Sequence, residues 1–398
     1  MSVLVVVDAH LFRTPDGKVW TKTIYGYDFW QRYLEVFENI NVVSRMKDVS
    51  YEEVKGYLCS SGDRINFYSL PMANTTKQYL KNVAKFIIKS NQAVQNSKCC
   101  ILRLPSFSGI FVYYQVKRKK IPFVIEVVAD PKISLRGKRS MAGKYLCHHL
   151  KKAVQCANGV SYVTQYALQE KYPSYVKKYG YDNLHFETYY SSINLCGNFF
   201  SQPRDYRNHR RRYRLVHIAN NIGNYEKGHK ESIDILSEIR KKGKDVELVF
   251  IGEGAKRKEF EEYAISIGMK DFVLFTGLIF NVDEIRAQLL DADIFILPTK
   301  AEGLPRAIIE AMAVGLPCLS TPVNGIPELL EKECLFEPDD IDGFTEKIEQ
   351  FINRPETMNE ISRRNIEKAR EYEATILQAK RNDFYSKLKK IASKNINK

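Results

Sequence analysis

The stretch DADIFILPTKAEGLPRAIIEAMAVGLPCLSTPVNGIPELL, residues 291–330, carries the reading on which the fold rests. Ile294-Phe295-Ile296-Leu297 is a short apolar run stopped by Pro298, the pattern of a buried parallel strand. After a loop with Gly303 and Pro305, residues 306–314 predict a helix with Ile308, Ile309 and Met312 on its apolar side. Gly315 then ends that helix as a left-handed cap. Residues 316–320 predict a second short strand, and 322–327 a turn-rich loop leading to another helix. Strand, loop, helix, strand is a βαβ unit, and ligands of such sheets gather at the carboxyl ends of the strands.

Two carboxylates frame the unit, Glu302 in the loop and Glu310 inside the helix. Eight positions span a little over two helical turns, so both side chains can face one crevice, about 10 Å apart along the axis. Between them, Gly303 and Leu304 offer backbone N–H groups with no intrahelical partner, which suits an anion. Taken singly, Glu302 also fits as an acid favoured at a helix N-terminus and Glu310 as a solvated helix residue. The Gly, Pro and acid placements together fit one ligand crevice.

The string EGLPRAIIEAMAVGLPCLSTPVNGIPEL, residues 302–329, resembles the Glu-x7-Glu signature of family-4 retaining glycosyltransferases, glycosyltransferase group 1, of the bacterial surface-polysaccharide type. The resemblance is strongest over residues 215–338. It implies an α/β chain with the GT-B fold, two doubly wound Rossmann-like domains facing across a cleft. It also implies that Glu310 binds the ribose hydroxyls of a nucleotide-sugar, that Glu302 lies beside the transferred sugar, and that Gly303 and Leu304 hold sugar and phosphate. In NNIGNYEKGHK, residues 220–230, Lys227-Gly228 resembles the family's Lys-Gly pair, whose lysine binds the donor diphosphate as a point charge. The family's Arg several residues earlier is missing, and Asn220 or Asn221 stands near its place.

Residues 246–251 predict a central strand, and the Gly252-Glu253-Gly254 that follows suits close approach to a base or ribose. Residues 273–277 predict another strand ending at Gly277, whose loop should border the base. In the first half, residues 9–29 lack the Gly-Gly pair common in this family. Where family members often carry a histidine, at the end of a strand over 122–128, this chain has Val128, Ala129 and Asp130. Asp130 is the candidate acceptor-side residue, with capping of the next turn as the alternative. Residues 159–164 are expected to be the last strand of that half. Asp291-Ala292-Asp293 matches the DxD by which other glycosyltransferases hold a metal, but it sits at the entry of a buried strand, away from the predicted site.

Length and composition agree with a large α/β protein. A chain of 398 residues suggests two or three domains, and 44% hydrophobic with 27% charged residues is ordinary for a globular one. The expected division is an N-terminal acceptor-side domain over 1–203, a basic linker over 204–214, a nucleotide-sugar domain over 215–370, and a helix over 371–398 crossing back. No run approaches the length of a membrane span. Residues 1–7 read as a first strand rather than a signal peptide, and eight cysteines without a CxxC pair fit a reducing cytosol.

The net charge of +14 is uneven. Residues 1–213 hold 33 Lys and Arg against 15 Asp and Glu, or +18, while residues 214–398 hold 28 against 32, or −4. A basic half with Lys117-Arg118-Lys119-Lys120 and the segment 132–145 points to an anionic partner, here a membrane surface or lipid diphosphate rather than nucleic acid. The expected function is metal-independent, cofactor-free transfer of a hexose-type sugar from a nucleotide-sugar, UDP foremost, to a saccharide or lipid-linked acceptor in surface-polysaccharide synthesis. The expected place is the cytoplasm, at the inner face of the plasma membrane. The alternatives are a hydrolysing UDP-sugar 2-epimerase and a non-catalytic sugar or lipid binder.

Overall fold

The computed structural model describes residues 1–134, 140–207 and 212–396. The chain forms two compact units, Met1–Tyr190 with Gln378–Lys398, and Ser191–Leu377. Parts of the basic segment 132–145 and of the linker expected over 204–214, namely residues 135–139 and 208–211, lie outside the described residues.

The first unit has strands β1 (Ser2–Arg13), β2 (Val19–Thr21), β3 (Asn39–Asp48), β4 (Leu58–Cys59), β5 (Ile65–Leu70), β6 (Cys100–Leu104), β7 (Phe123–Val127), β8 (Gly159–Tyr162) and β9 (Phe186–Tyr189). Its parallel core runs in the order β5-β3-β1-β6-β7-β8-β9. The helices are α1 (Tyr27–Leu34), α2 (Thr76–Lys81), α3 (Val83–Val94), α4 (Phe107–Arg118), α5 (Pro131–Ser134), α6 (Met141–Cys156), α7 (Ala167–Lys171) and α8 (Tyr175–Tyr179). β7 is buried throughout, as an interior parallel strand must be. Its Phe123, Ile125 and Val127 join one apolar cluster with Val112 and Val116 of α4 and Leu150 and Val154 of α6.

Two local expectations differ from what forms, and one helical stretch is broken. β1 continues past Val7 to Arg13 and pairs antiparallel with β2, so residues 9–13 and 19–21 are sheet. The helical stretch after β5 is split into α2 and α3 at Asn82, whose side-chain amide bonds the Gln78 carbonyl at 2.9 Å and competes with the helical ladder. β8 is followed by β9, so it is not the last strand of its sheet.

The second unit has strands β10 (Tyr213–Asn221), β11 (Val246–Glu253), β12 (Val273–Gly277), β13 (Ile294–Leu297) and β14 (Cys318–Ser320), all parallel, in the order β12-β11-β10-β13-β14. Its helices are α9 (His229–Lys241), α10 (Arg257–Ser266), α11 (Val282–Asp291), α12 (Arg306–Ala313), α13 (Ile341–Asn353) and α14 (Pro355–Arg370). α12 closes at Gly315 with φ +73°, as a left-handed cap requires. The helix expected after residue 327 is a single 3-10 turn, Ile326–Glu328.

Residues 204–206 are not a loose tether. The Arg204 guanidinium donates to the carbonyls of Val314 at 2.8 Å, Leu289 at 2.7 Å and Ala292, capping the ends of α11 and α12. Tyr206 is buried and its hydroxyl donates to the Asp293 carbonyl at 3.1 Å. A planar fork meeting two helix C-termini fixes this segment to the second unit.

The last helix, α15 (Ala374–Ile396), joins the first unit from Gln378 onward. Gln378 donates to the Arg32 carbonyl at 3.0 Å and Lys389 to the Val36 carbonyl at 2.8 Å. Beneath it, the Glu126 carboxylate accepts from Arg103 and from the hydroxyls of Tyr33, Tyr190 and Tyr385. Burial alone would raise that carboxyl; the Arg103 charge and the tyrosine hydroxyls bring it below its ordinary value.

Candidate functional site

In the second sheet the strand order reverses between β10 and β13, so the loops leaving those neighbours at their carboxyl ends flank the topological switch point. Lys227 lies in the first loop and Glu302 in the second, and the sheet brings them together. The Lys227 ammonium bonds the Glu302 carboxylate and donates to the Ala301 carbonyl at 3.0 Å. Both are only partly covered, with side-chain exposures of 29% and 16%, so the pair is accessible to a ligand.

Backbone bonds lock the two loops. The Glu226 carbonyl accepts from the Lys300 N–H at 2.7 Å and the Thr299 hydroxyl at 3.0 Å, and Lys300 pairs with Glu231 of α9 at 2.6 Å. Gly228 has φ +77°, and a Cβ there would stand 2.1 Å from the Pro298 carbonyl oxygen, so only glycine lets the loops cross this closely. A third loop holds the second from behind. Asn324, at φ +47°, donates its side-chain amide to the Glu302 carbonyl, and the Gly325 N–H donates to the Gly303 carbonyl at 3.0 Å.

Two helices start at these loops, α9 at His229 and α12 at Arg306, and neither has a side-chain cap. Their first-turn N–H groups and dipoles therefore favour an anion next to Lys227. Leu304 is buried at the mouth of α12, beside Gly303. Glu310, one turn into α12, is half-buried and has no hydrogen bond or ion pair among the described residues. Burial raises its carboxyl above the ordinary value, and Arg306 one turn earlier opposes that rise.

The remaining candidates fall into place unevenly. Asn220 is exposed at the end of β10. Gly252 lies near the end of β11 and Gly254 just past it, where added Cβ atoms would meet the Ala219 carbonyl oxygen at 1.9 Å and the Ile222 backbone at 2.6 Å. Their smallness is thus accounted for by the neighbouring strand end. Gly277 ends β12 beside Arg257. Asp130 belongs to the first unit, is buried, and accepts from the Lys132 N–H at 3.0 Å, Lys171 at 3.2 Å and the Tyr172 hydroxyl at 2.6 Å. It acts there as a turn cap and an ion-pair partner.

Asp293 of the DxD is buried and accepts from the Arg214 N–H at 2.8 Å, while Asp291 pairs with the Arg214 guanidinium. Both are spent at the amino end of β13. Among the described residues no group of three or more His, Cys, Asp and Glu side chains is placed to hold a metal ion.

Sequence reading missed Asn324, Arg306 and a histidine pair. Asn324-Gly325 is a turn dipeptide, which was signal enough to mark the loop but not its bond to Glu302. Arg306 stands four residues from both carboxylates. His217 of β10 and His229 of α9 are buried behind Lys227 with ring centres 4.5 Å apart. His217 Nδ1 lies 3.0 Å from the Ser232 hydroxyl, whereas neither nitrogen of His229 has a partner among the described residues. Burial keeps both neutral, with His229 pushed down to about 4.

Against known proteins, residues 212–354 match the family described as glycosyl transferases group 1. The chain is 28% identical over 377 residues to protein CapJ of Staphylococcus aureus, covering 91% of this chain and 92% of that one. It is 32% identical over 114 residues to the putative colanic acid biosynthesis glycosyltransferase WcaL of Escherichia coli, 27% of this chain and 28% of that one. Among solved structures it resembles HepE of Anabaena in complex with UDP and glucose, with a TM-score of 0.70 at 15% identity over 97% of this chain and 99% of that one. Sucrose-phosphate synthase from Thermosynechococcus elongatus gives a TM-score of 0.72 at 14% identity, covering 98% and 99%. The fold is GT-B, with two Rossmann-like units.

Proposed function

We propose that this chain, a glycosyltransferase of group 1, moves a hexose-type sugar from a UDP-sugar to a saccharide or lipid-linked acceptor, retaining anomeric configuration, in the synthesis of a surface polysaccharide. The observation that carries the reading is the Lys227–Glu302 pair set between two uncapped helix starts at the switch point. CapJ and WcaL support the polysaccharide setting, and the UDP and glucose held by HepE support the donor.

In this reading the diphosphate takes the place beside Lys227 and the amides of Gly303, Leu304 and Arg306. Positive charge fixed there before reaction stabilises the leaving nucleoside diphosphate without reorganisation, usually the largest contribution to such a rate. Arg306 supplies a second cation in place of the family's arginine, near whose position Asn220 or Asn221 stands. Glu310, with no partner among the described residues, accepts the ribose hydroxyls, and Glu302 orients the sugar once the phosphate has drawn Lys227 away. Asp130 on the acceptor side remains part of the proposal, as does a metal-independent course. The acceptor is membrane-seated and the protein cytoplasmic; no helix among the described residues is long and apolar enough to cross a bilayer.

A thermal-shift panel of UDP, GDP, ADP and their sugar conjugates, with and without EDTA, tests this on the wild type and on Glu310→Ala. A nucleotide at 100 times its Kd adds about 2.7 kcal/mol of stability. UDP stabilisation that survives EDTA and disappears in Glu310→Ala is the expected result. No stabilisation by any nucleotide, or epimer formation from UDP-N-acetylglucosamine without acceptor, would overturn it.

A further inference from the structure

Between Arg64 and Gln169 the sequence contains only two acids, Glu126 and Asp130, and both are buried, at 2% and 3% exposure. Everything else that this span presents to solvent is neutral or cationic. The span includes four helices, α2, α3, α4 and α6, that lie side by side on one face of the first sheet. Phe86 of α3 stacks on Phe111 of α4 at 5.0 Å, and Arg118 of α4 donates to Asn91 of α3 at 3.0 Å. Phe107 of α4 stacks on Tyr145 of α6 at 5.8 Å, and also packs on Tyr79 of α2 at 5.0 Å. The helices thus form one continuous layer, and its outer side carries no negative charge.

That outer side is apolar as well as basic. Lys77, Lys81, Lys85 and Lys89 rise along α2 and α3, and Lys144 and Lys151 along α6, all exposed. Interleaved with them are Leu80 at 69% exposure, Ile88 at 56% and Met141 at 85%. A polyanion such as a nucleic acid needs the cations only. Large apolar side chains set among lysines fit a bilayer interface, where the lysines meet anionic headgroups and the apolar tips reach the acyl boundary.

We propose that the layer formed by α2, α3, α4 and α6 is the surface by which this protein lies on an anionic phospholipid bilayer. This deepens the reading of a membrane-seated acceptor and rests on it for its purpose, although the binding itself needs neither donor nor acceptor. Attachment is peripheral and salt-sensitive, because the cations act across water at the headgroups.

The test is co-sedimentation of the full chain with phosphatidylcholine vesicles, with and without about 30% phosphatidylglycerol, at about 0.1 and 0.5 M salt. The wild type should bind only the anionic vesicles and be released by the higher salt. A Lys81→Glu, Lys85→Glu, Lys89→Glu variant should partition at least about a hundredfold less. A second variant, Leu80→Ser with Met141→Ser, keeps every charge and should also lose vesicle binding, while any retention on duplex DNA stays unchanged. UDP-induced thermal stabilisation reports on the second unit and should be untouched in both variants. Equal binding to neutral vesicles, wild-type binding by the charge variant, or a serine variant that still binds would each overturn the proposal. Vesicle binding without any UDP stabilisation would instead overturn the donor reading and leave this surface standing.

Discussion

The ammonium of Lys227 is held by the carboxylate of Glu302 across a gap of 75 residues in sequence. A diphosphate that uses Lys227 must therefore win it from Glu302. Glu302→Gln should free the lysine, tighten UDP binding several-fold, and at the same time slow sugar transfer. Lys227→Met should weaken UDP by about 1.5–3 kcal/mol, the worth of a hydrogen bond to a charged group. Calorimetric UDP titrations beside transfer rates check this; a Glu302→Gln protein that binds UDP no better than the wild type contradicts the competition.

Glu310 gives a pH signature without a ligand. Its carboxyl is raised in the folded protein, so the fold disfavours the ionised form and stability falls as pH rises through the window between the ordinary and the raised value. Above that window Glu310→Gln should melt higher than the wild type, and near pH 3 the two should coincide. The same variant should bind UDP about 10–150-fold more weakly, since the ribose hydroxyls lose a charged acceptor. Melting curves across pH, repeated with saturating UDP, separate the two effects.

The residue behind the site, Asn324, contributes both a left-handed backbone and a bond to the Glu302 carbonyl. Asn324→Gly keeps the backbone and loses the bond, at about 1 kcal/mol; Asn324→Ala loses both, at about 2–3 kcal/mol. Denaturant titrations order the variants. Transfer should slow in both, because the loop carrying Glu302 loses its rear support.

Acid should loosen the second unit through His229. Its folded value of about 4 lies below the ordinary 6.5, so stability is fully present above 6.5 and is lost as pH falls towards 4. The loss amounts to roughly 3 kcal/mol at pH 4. His229→Phe retains the ring stacked on Phe260, removes two unpartnered nitrogens, and should flatten this part of the acid profile. An unchanged profile would assign the acid sensitivity to His217 and other groups.

Much of the second unit was legible because its signals are local. An apolar run, a proline, a helical period and a glycine cap follow one another within 291–330, and each acts over a few residues. The partners of Glu302 were only half legible. The resemblance marked Lys227, but the pairing depends on β10 and β13 being neighbours, which is a property of strand order. In the first unit the strands over 122–128 and 159–164 were legible, but the buried charge cluster was not. Glu126 sits in the apolar strand Phe-Val-Ile-Glu-Val, and its partners stand between 23 and 259 residues away. Likewise, the extension of β1 past Val7 depends on β2 and β3 pairing with it on either side rather than on its own composition. Residues 204–206 looked like a linker because they are polar, yet Arg204 is polar in order to meet helix-end carbonyls.

Tyr385 is one of four donors to the buried Glu126 carboxylate. Tyr385→Phe should cost the first unit about 1.5–3 kcal/mol, the value of a bond to a charged acceptor. Glu126→Ala should cost about 3–5 kcal/mol by leaving Arg103 buried without its counter-charge. Denaturation followed by fluorescence of Trp20 and Trp30, both in the first unit, isolates these losses from the second unit.

That α15 closes over Glu126 also sets an order of events during synthesis. Residues 191–377 have left the ribosome, and can fold, while the first unit still lacks the helix that covers its buried charge pair. The half of the chain made first is therefore the half finished last. Until residues 378–396 are in place, the buried Arg103–Glu126 pair lacks the Tyr385 hydroxyl, so a chain truncated after residue 377 would hold every residue of the second unit beside a first unit missing one of the four donors to Glu126.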